Sequence, residues 1–402
     1  MENVLGIISE YNPFHNGHLY HMEQAKKITN SHYSICVMSG NFIQRGFPAL
    51  VDKWTRAQMA IENGFDLVIE LPTIYSISSA ENFAFGALST LNALGIVNTI
   101  CFGSECNNIH TLNKISNILI NETPEYKEFL NTELSLGLSF PKARENAIKT
   151  LFSDNKVNDI ISKPNNILGI EYLKALSKIN STIMPYTIQR ISCDYNSLDI
   201  TGNITSATAI RKLIIENDFN TVKKVVPDNV YKILLDKLNS QEIIYGLKTY
   251  EREIFYKLRN MTIEDLKNIP DICEGLENSI KKASNNTNDL DILINIIKSK
   301  RHTQTRLQRI LLYILLGITK DQMELSKNGP QYIRILAMNN IGKQLLSTLS
   351  NKCQLPVITS LNEAIKKNIK STILEQDILA TNIYTLGYKN SSKANLDFIQ
   401  KL

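Results

Sequence analysis

The sequence contains no long apolar run, and no basic segment precedes its first apolar stretch, Val4–Ile8. A helix needs roughly 20 predominantly apolar residues to cross a bilayer, and a secretory signal peptide begins with a positively charged region. The first absence argues against a membrane-spanning helical protein, and the second argues against secretion. We therefore expect a cytoplasmic protein without membrane association.

Cysteines are few and unclustered. No C-x-x-C pair and no Cys/His group at zinc spacing occurs, so the sequence predicts neither a metal site nor a disulfide framework. A reducing compartment also favours free thiols over disulfides. We expect buried free thiols at the six cysteines, which are Cys36, Cys101, Cys106, Cys193, Cys273 and Cys353.

Charge is unevenly distributed along the 402 residues. Residues 1–215 hold 17 Lys/Arg and 19 Asp/Glu, a formal net charge of −2, whereas residues 216–402 hold 27 and 20, a net charge of +7. The basic half is therefore the candidate for contact with a polyanion. The length itself predicts two or three domains, at about 100–200 residues each.

Short apolar runs alternate with amphipathic patterns in the first half of the chain. The runs predict buried strands and the patterns predict helices, an order that is typical of a parallel sheet covered by helices on both faces. In such a sheet, ligands bind at the carboxyl ends of the strands, where the strand order reverses. The predicted strands are Val4–Ser9, Ser34–Met38, Asp66–Leu71, Asn98–Phe102 and Met184–Arg190, and the predicted helices include Leu19–Thr29, Trp54–Asn63 and Ala80–Leu94.

The stretch Ser9–His18 follows the first predicted strand and carries two histidines separated by Asn-Gly. Helical character follows, which gives a strand, a polar turn and a helix. Backbone N–H groups at a helix N-terminus favour an anion, and His15 and His18 add two imidazole donors. We interpret this turn as a phosphate site; the alternative is an ordinary loop that bears two exposed histidines.

Other loops at predicted strand ends contain candidate ligand-binding residues. Ser39–Gly46 follows the second strand and combines amides, one arginine and two glycines. Gly103 follows the fourth strand, and the absence of a Cβ atom would let a base or ribose approach the backbone. Asn165 lies at a predicted helix start, where it either caps the helix or contacts a nucleotide.

A second candidate phosphate site occupies Thr205–Lys212. Its hydroxyl residues precede a helical pattern, which predicts an N-cap and a first helical turn with free N–H groups. Arg211 lies about one turn further on. The alternative is a plain helix cap without a ligand.

The two candidate phosphate sites together resemble the signatures of the nucleotidylyltransferase superfamily. His15-Asn16-Gly17-His18 resembles its HxGH signature, and Thr205–Arg211 resembles its later ISSTxIR signature. Ala207 departs from the second signature, which has a small hydroxyl residue at that position. We therefore assign Ala207 no side-chain contact to phosphate.

Further motifs are similar to those of the bacterial tRNA(Met) cytidine acetate ligase family and span nearly the whole chain. The resemblance implies that ATP and acetate form acetyl-adenylate with release of pyrophosphate. It also implies that the acetyl group then passes to N4 of the wobble cytidine in elongator tRNA(Met). The motifs are Glu10–His18, Met38–Gly46, Val51–Ala57, Pro164–Gly169, Glu274–Asn278 and Lys300–His302.

The resemblance also implies a set of site residues. We assign His15 and His18 to the triphosphate, with Arg211 and the amides near Ser206 and Thr208 as partners. Magnesium is expected to arrive with ATP, because the sequence shows no dedicated carboxylate cage. The implied ATP pocket comprises Ile7, Ile8, Ser9, Glu10, Tyr11, Asn12, Pro13, Phe14, His15, Asn16, Gly17, His18, Leu19, Tyr20, Gly103, Asn165 and Arg190.

A basic cluster in the second half is the candidate for tRNA contact. Residues 298–309 contain five Lys/Arg and no acid, and an anticodon loop is recognised through splayed bases, stacking and phosphate contacts. A helix over about His302–Ile318 would place a basic stripe beside an apolar one. The basic stripe comprises His302, Arg306, Arg309 and Tyr313. The candidate RNA-binding residues are Lys300, Arg301, His302, Arg306 and Arg309.

These observations predict an α/β fold in three parts. A Rossmann-like parallel-sheet nucleotidylyltransferase domain spans residues 1–215, a mainly helical, basic, tRNA-binding region spans residues 216–325, and a small mixed α/β subdomain spans residues 326–402. No protein partner is evident. Two other functions remain open: an adenylyltransferase that joins AMP to a small phosphorylated substrate, and a non-catalytic nucleotide-binding protein associated with RNA.

Overall fold

The computed structural model describes residues 3–152, 155–190, 203–273, 275–390 and 393–400. Its strands are β1 (Val4–Ser9), β2 (Tyr33–Ser39), β3 (Phe42–Ile43), β4 (Phe47–Pro48), β5 (Leu67–Leu71), β6 (Thr99–Ser104), β7 (Met184–Gln189), β8 (Ile333–Met338) and β9 (Val357–Ile358). β3 and β4 form an antiparallel hairpin. The other strands form one sheet in the order β7-β6-β1-β2-β5-β8-β9.

The five strands that the sequence predicts are confirmed, and they run parallel to their neighbours in that set. Every residue of β5 is buried, as expected for a strand that is covered by helices on both faces. The strand order reverses at β1, because β2 and β5 lie on one side of it while β6 and β7 lie on the other. This reversal fixes the place where a ligand crevice is expected.

Helices of the first half begin and end close to their predicted bounds. Asp52 caps one of them, since its Oδ1 accepts a hydrogen bond from the Thr55 backbone N–H at 2.8 Å. Gly95 follows another with a φ of 67°, a conformation that strains other residues. The helices up to residue 215 are Asn16–Thr29, Lys53–Glu62, Thr73–Ser76, Ala80–Ala93, Ile109–Asn121, Pro124–Ser135, Phe140–Phe152, Asn155–Ser162, Pro164–Lys178 and Ala207–Ile215.

The second half is mainly helical, as predicted. Its predicted basic helix is shorter than expected, because it runs from Gln304 to Leu316 and stops at Gly317, which has a φ of 70°. No helix in the described ranges is long and apolar enough to cross a membrane. The helices are Phe219–Val225, Asp228–Asn239, Glu251–Asn260, Ile263–Lys267, Leu276–Asn286, Leu290–Ile297, Gln304–Leu316, Lys320–Ser326, Asn340–Lys352, Leu361–Lys366, Thr372–Tyr384 and Leu396–Ile399, with 3-10 turns at Leu247–Tyr250 and Thr385–Gly387.

The strands beyond residue 326 extend the sheet of the first half. β8 pairs antiparallel with β5, with Leu67 opposite Met338 and Glu70 opposite Arg334, and β9 then pairs with β8. The predicted mixture of strands and helices is present in this part of the chain. The sequence did not predict that its strands would join the parallel sheet, so that sheet is not confined to residues 1–215.

Four buried charged side chains connect this C-terminal segment to the sheet. Lys53 Nζ lies 2.7 Å from Glu70 Oε1 and 2.9 Å from Asp397 Oδ1, and Arg334 Nη2 lies 2.6 Å from Asp397 Oδ1. Burial would raise the pKa of Asp397, but Lys53 and Arg334 outweigh it and lower that pKa. Each charge therefore has a partner of opposite sign, which buried ions require.

Candidate nucleotide-binding site

A cavity of about 1210 Å³ opens at the carboxyl ends of β1 and β6. These strands are neighbours at the reversal of strand order, which is where open parallel sheets bind ligands. Its wall contains the residues that end β1, residues of helix Asn16–Thr29, part of the Ser39–Gly46 loop and the Thr205–Thr208 segment with Arg211. The structure thus brings both predicted phosphate sites to one cavity.

His15 and His18 form the start of helix Asn16–Thr29. His15 Nδ1 accepts a hydrogen bond from the Gly17 backbone N–H at 3.1 Å, and His18 Nδ1 accepts one from the His15 backbone N–H at 3.3 Å. The two rings stack with their centroids 3.6 Å apart. A neutral imidazole that accepts at Nδ1 carries its proton on Nε2. Each ring therefore retains an Nε2–H donor for a ligand.

Burial keeps the histidines of this helix uncharged. It lowers the pKa of His15 to about 3 and that of His21 to about 4, and the nearby Arg190 acts in the same direction. Burial and the neighbouring His15 ring hold the pKa of His18 well below its usual range. The histidines thus offer neutral donors, while guanidinium groups such as Arg190 and Arg211 supply positive charge at the cavity wall.

The Thr205–Arg211 segment contacts the loop after β1 directly. Arg211 Nη1 donates to the Asn12 carbonyl at 2.8 Å, and Arg211 Nη2 donates to Thr208 Oγ1 at 3.1 Å. Ser206 is the N-cap of helix Ala207–Ile215, and its Oγ accepts from the backbone N–H three residues on. The predicted cap is confirmed, and the two motifs hold each other in place.

Two buried polar atoms near this contact have no hydrogen-bond partner among the described residues, namely Asn12 Nδ2 and Thr205 Oγ1. Both residues line the cavity and are 3 % exposed. The Asn12 side chain is oriented because its Oδ1 accepts from the Leu50 backbone N–H at 2.7 Å. A buried donor without an acceptor costs free energy, which an anionic ligand would recover.

Asn165 lies between two charged side chains at the cavity wall. Its Nδ2 donates to Glu105 Oε1 at 2.6 Å, and its Oδ1 accepts from Arg190 Nη1 at 2.7 Å. Glu105 also accepts from backbone N–H groups in the first turn of helix Pro164–Lys178. The N-cap of that helix is Lys163, so Asn165 is not the cap. Asn165 instead holds Arg190 in position beside the cavity.

Gly103 lies in β6 and faces the cavity. A Cβ atom at this position would meet only the Cβ of Arg190, at 3.9 Å, within 4 Å of it. The backbone conformation does not require glycine, because its φ is not positive. The backbone at Gly103 therefore borders open space at the cavity wall, and its contact with a nucleotide stays a prediction.

Four residues of the predicted pocket segment do not line the cavity, whereas every other residue of the predicted set does. Phe14 is fully buried, and its ring packs against those of Tyr11 and His18. Asn16 donates to the carbonyls of Asn203 and Lys224. Phe14 therefore packs inside the turn, and Asn16 connects the turn to other segments of the chain. The four are Pro13, Phe14, Asn16 and Leu19.

Arg56 is a site residue that sequence reasoning missed. Its guanidinium is fully buried and donates to four backbone carbonyls. These carbonyls lie in the loops after β1 and β2 and just before helix Lys53–Glu62, so Arg56 fixes the loops relative to each other. An arginine on an amphipathic helix is ordinarily exposed, and no local pattern reveals this role. The carbonyls are those of Glu10 (2.7 Å), Ser39 (3.0 Å), Val51 (3.0 Å) and Gly40.

The predicted RNA-facing stripe is wrong as a continuous surface. Tyr313 is buried and its hydroxyl donates to the Ile77 carbonyl at 3.0 Å, while His302 is 9 % exposed. The basic stripe is therefore interrupted, because His302 and Tyr313 pack against the protein. The apolar neighbours around Leu307–Leu316 are buried throughout, which a sequence pattern of two stripes could not show.

The other predicted RNA-binding residues are distributed around the start of this helix. Lys300 and Arg301 are exposed, whereas Arg306 Nη2 donates to the Asp271 carbonyl at 2.7 Å. Arg309 lines the cavity together with Thr305. Sequence reasoning placed Arg309 on a basic stripe that meets RNA and did not predict its position at the cavity.

Arg309 reaches the cavity because the Ser39–Gly46 loop packs on helix Gln304–Leu316. Gly46 has a φ of 81°, and a Cβ atom there would lie 2.7 Å from the Arg309 backbone nitrogen. Only glycine permits this approach. The basic helix and the loop after β2 thus form adjacent parts of one wall.

Among the described residues, Cys36, Cys101, Cys106, Cys273 and Cys353 are free thiols as expected, but the predicted burial is wrong for Cys273, which is exposed, and Cys106 and Cys353 are only half-buried. Cys193 and Glu274 lie outside the described residues. Within the described ranges, no three His, Cys, Asp or Glu side chains form a group that could hold a metal ion. The carboxylates on the cavity wall are those of Glu10 and Glu105.

Substitutions of His15 separate its role as N-cap from its role at the cavity. Asparagine is a strong N-cap residue, whereas alanine loses the cap, at about 1 kcal/mol of unfolding free energy. We expect His15→Ala to unfold at lower urea concentration and His15→Asn to unfold like the wild type. Both variants lose the Nε2–H donor and should bind ATP roughly fivefold more weakly, by about 1 kcal/mol, in calorimetric titrations. Wild-type ATP affinity in His15→Asn would contradict this assignment.

Comparisons with known proteins extend over nearly the whole chain. A family model for HIGH nucleotidyl transferases matches residues 1–397. The chain is 46% identical over 399 residues to the tRNA(Met) cytidine acetate ligase of Thermoanaerobacter sp. (strain X514), covering 99% of both chains. It is 47% identical over 412 residues to the protein of that name from Acetivibrio thermocellus, again covering 99% of both.

Solved structures give the same result. The fold matches Thermotoga maritima TmcAL bound with alpha-thio ATP at a TM-score of 0.90 and 35% identity, over 97% of this chain and 95% of that one. The apo form of that protein matches at a TM-score of 0.92. Since the sequence, the fold and the family model agree over almost the full length, the chain belongs to the HIGH nucleotidyl transferases and, among them, to the tRNA(Met) cytidine acetate ligase family.

Proposed function

We propose that this protein is a cytoplasmic ligase that uses ATP to activate acetate as acetyl-adenylate and then acetylates N4 of the wobble cytidine in elongator tRNA(Met). The products are N4-acetylcytidine, AMP and pyrophosphate. The observation that carries the proposal is the convergence of both phosphate motifs on one cavity, in a chain 46% identical to a protein named tRNA(Met) cytidine acetate ligase.

Formation of acetyl-adenylate needs alignment and charge neutralisation rather than a protein nucleophile. An acetate oxygen attacks the α-phosphorus of ATP, the bond from that phosphorus to the bridging oxygen breaks, and pyrophosphate leaves. The Nε2–H groups of His15 and His18 would donate to phosphate oxygens. Arg211 and the first-turn amides near Ser206 and Thr208 would stabilise the charge that develops on the departing pyrophosphate.

Magnesium would reach the site on the phosphates of ATP. This ion keeps several of its waters and commonly binds through substrate phosphates with only one or two carboxylates. Glu105, one of the two cavity carboxylates, already accepts three hydrogen bonds from Asn165 and the start of helix Pro164–Lys178. The cavity carboxylates therefore fit a magnesium ion that arrives bound to ATP better than one held by the protein alone.

The cavity has room for a nucleoside beside ATP. Small-molecule sites typically enclose about 300–1,000 Å³, and this cavity encloses about 1210 Å³. A single-stranded loop can extrude a base into such a pocket. Thr305 and Arg309 line the cavity, and the exposed Lys300 and Arg301 precede the same helix. We place the entry of the cytidine on this side.

An acetylation assay tests the proposed function. The protein, labelled acetate, ATP and elongator tRNA(Met) should together yield N4-acetylcytidine, detected by mass spectrometry of the digested tRNA, with one AMP released per acetyl group. The matched control is the same tRNA with uridine at the wobble position, which should remain unlabelled. Acetate-independent transfer of AMP to a small phosphorylated acceptor would instead support an adenylyltransferase. Binding of ATP without turnover would support a non-catalytic protein.

Gly103→Ala tests whether the nucleotide packs against β6. The added methyl group meets only ordinary contact in the free protein, so the unfolding temperature should stay the same or rise slightly. ATP should bind at least about tenfold more weakly, because the methyl group occupies about the space of a ligand atom. Gly169→Ala is the control for a structural effect, since its Cβ would lie 2.5 Å from the Phe102 ring. Unchanged ATP affinity in Gly103→Ala would refute the contact.

Charge reversal of Lys300 and Arg301 tests the proposed tRNA side. If both contact phosphates, the double glutamate variant should bind tRNA at least about tenfold more weakly, and the slope of log affinity against log salt should fall by more than 1. ATP affinity should not change. Lys366 and Lys367 are also adjacent and exposed, and their reversal provides the control for net charge. An equal loss of tRNA affinity in both double variants would show a nonspecific effect.

A further inference from the structure

We propose that Glu10 is the general base that accepts the proton of the cytidine N4 amine during acetyl transfer. The inference rests on the proposed function, since it concerns the second step of that reaction. Its basis is the position of this carboxylate on the cavity wall, which both phosphate motifs and the basic helix Gln304–Leu316 also line.

Glu10 and Glu105 provide the carboxylates on the described part of the cavity wall. Glu105 accepts from the Asn165 amide and from two backbone N–H groups at the start of helix Pro164–Lys178, so both of its oxygens are engaged. Glu10 is held differently, because its Oε1 accepts from the Gln44 backbone N–H at 2.8 Å. This bond orients the carboxyl group through one oxygen, and the residue still faces the cavity.

The contacts of Glu10 locate it on the side where the cytidine would enter. Gln44 belongs to the Ser39–Gly46 loop, and Gly46 packs against the backbone at Arg309. Arg309 and Thr305 line the same cavity. On the other side, the chain continues from Glu10 into the turn that ends at His15 and His18, which line the same cavity. Under the proposed function, the carboxylate would lie where a base that enters with RNA meets an adenylate held by these histidines.

The surroundings of Glu10 raise its pKa, which favours proton transfer. Burial raises its pKa, while the Gln44 hydrogen bond and the guanidinium groups of Arg45, Arg211 and Arg56 act in the opposite direction and leave the net shift upward. A general base works best when its pKa approaches the operating pH. Tyr172 lines the same cavity, and burial, together with the charge of Glu10, raises the pKa of its phenol.

Acetyl transfer to cytidine replaces one bond at the acetyl carbon with another. The N4 lone pair of cytidine attacks the carbonyl carbon of acetyl-adenylate and forms the new C–N bond. The bond from that carbon to the bridging phosphate oxygen breaks, and AMP leaves with its electron pair. The amine loses one proton, which the Glu10 carboxylate accepts and later releases to water. No oxidant, reductant or further reactant is needed.

Glu10→Gln tests the proposal because glutamine keeps an oxygen for the Gln44 N–H but cannot accept the proton. We expect single-turnover acetyl transfer to tRNA to fall by about 100-fold or more, the contribution typical of a general base. Acetate-dependent exchange between ATP and pyrophosphate, which reports acetyl-adenylate formation alone, should fall far less. Wild-type transfer should rise with pH through one ionisation, and this dependence should disappear in Glu10→Gln.

Two further measurements distinguish a structural effect of the Glu10→Gln substitution from loss of the general base. Hydroxylamine is a strong nucleophile that needs no base, so Glu10→Gln should still form acetohydroxamate from acetate and ATP. Glu10→Asp retains a carboxylate and should recover part of the transfer rate. Equal losses of exchange and transfer, or retention of both, would overturn the role of Glu10. Absence of acetate-dependent exchange in the wild type would instead overturn the proposed function itself.

Discussion

The guanidinium of Arg56 fixes the geometry on which the whole site depends. It is buried, and its hydrogen bonds run to backbone carbonyls of two separate loops. Burial lowers its pKa, but the charges of Asp52, Glu10 and Glu70 oppose that effect. One side chain thus holds the ends of β1 and β2 at a constant separation. The cavity residues on these loops, such as Glu10 and Gln44, are therefore held at fixed relative positions.

Neutral hydrogen-bond donors and positively charged donors come from different side chains in this cavity. The imidazoles of His15 and His18 use one nitrogen each to begin a helix, so their helical contacts set both the tautomer and the direction of the other nitrogen. Positive charge resides on arginines that are tied by hydrogen bonds to Asn12 and Asn165. A polyphosphate would therefore meet donors that are already oriented, and little reorganisation would be needed during the reaction.

Local features made much of the fold and part of the site predictable from sequence. The parallel strand β1 begins with the continuous apolar run Val4–Ile8, and the helix caps at Asp52 and Ser206 depend on neighbouring residues only. His15 and His18 likewise belong to a short motif. The positions of Arg56 and Arg309 could not be predicted, because each depends on loops that are distant in sequence. The addition of β8 to the parallel sheet was also unpredictable for this reason.

The buried contacts of the C-terminal segment also constrain the order of events during synthesis. Asn41, in the loop beside the cavity, donates to Thr381, 340 residues later in the chain, and Lys53, which pairs with Glu70, gains Asp397 as a second partner. The sheet strands β1, β2, β5, β6 and β7 leave the ribosome long before Thr381 and Asp397 exist. Contacts of such sequence separation form slowly. In a growing chain Arg56 can already join the loops after β1 and β2, whereas the contact of Asn41 with Thr381 and the pairing of Lys53 with Asp397 must wait for the last residues to be made.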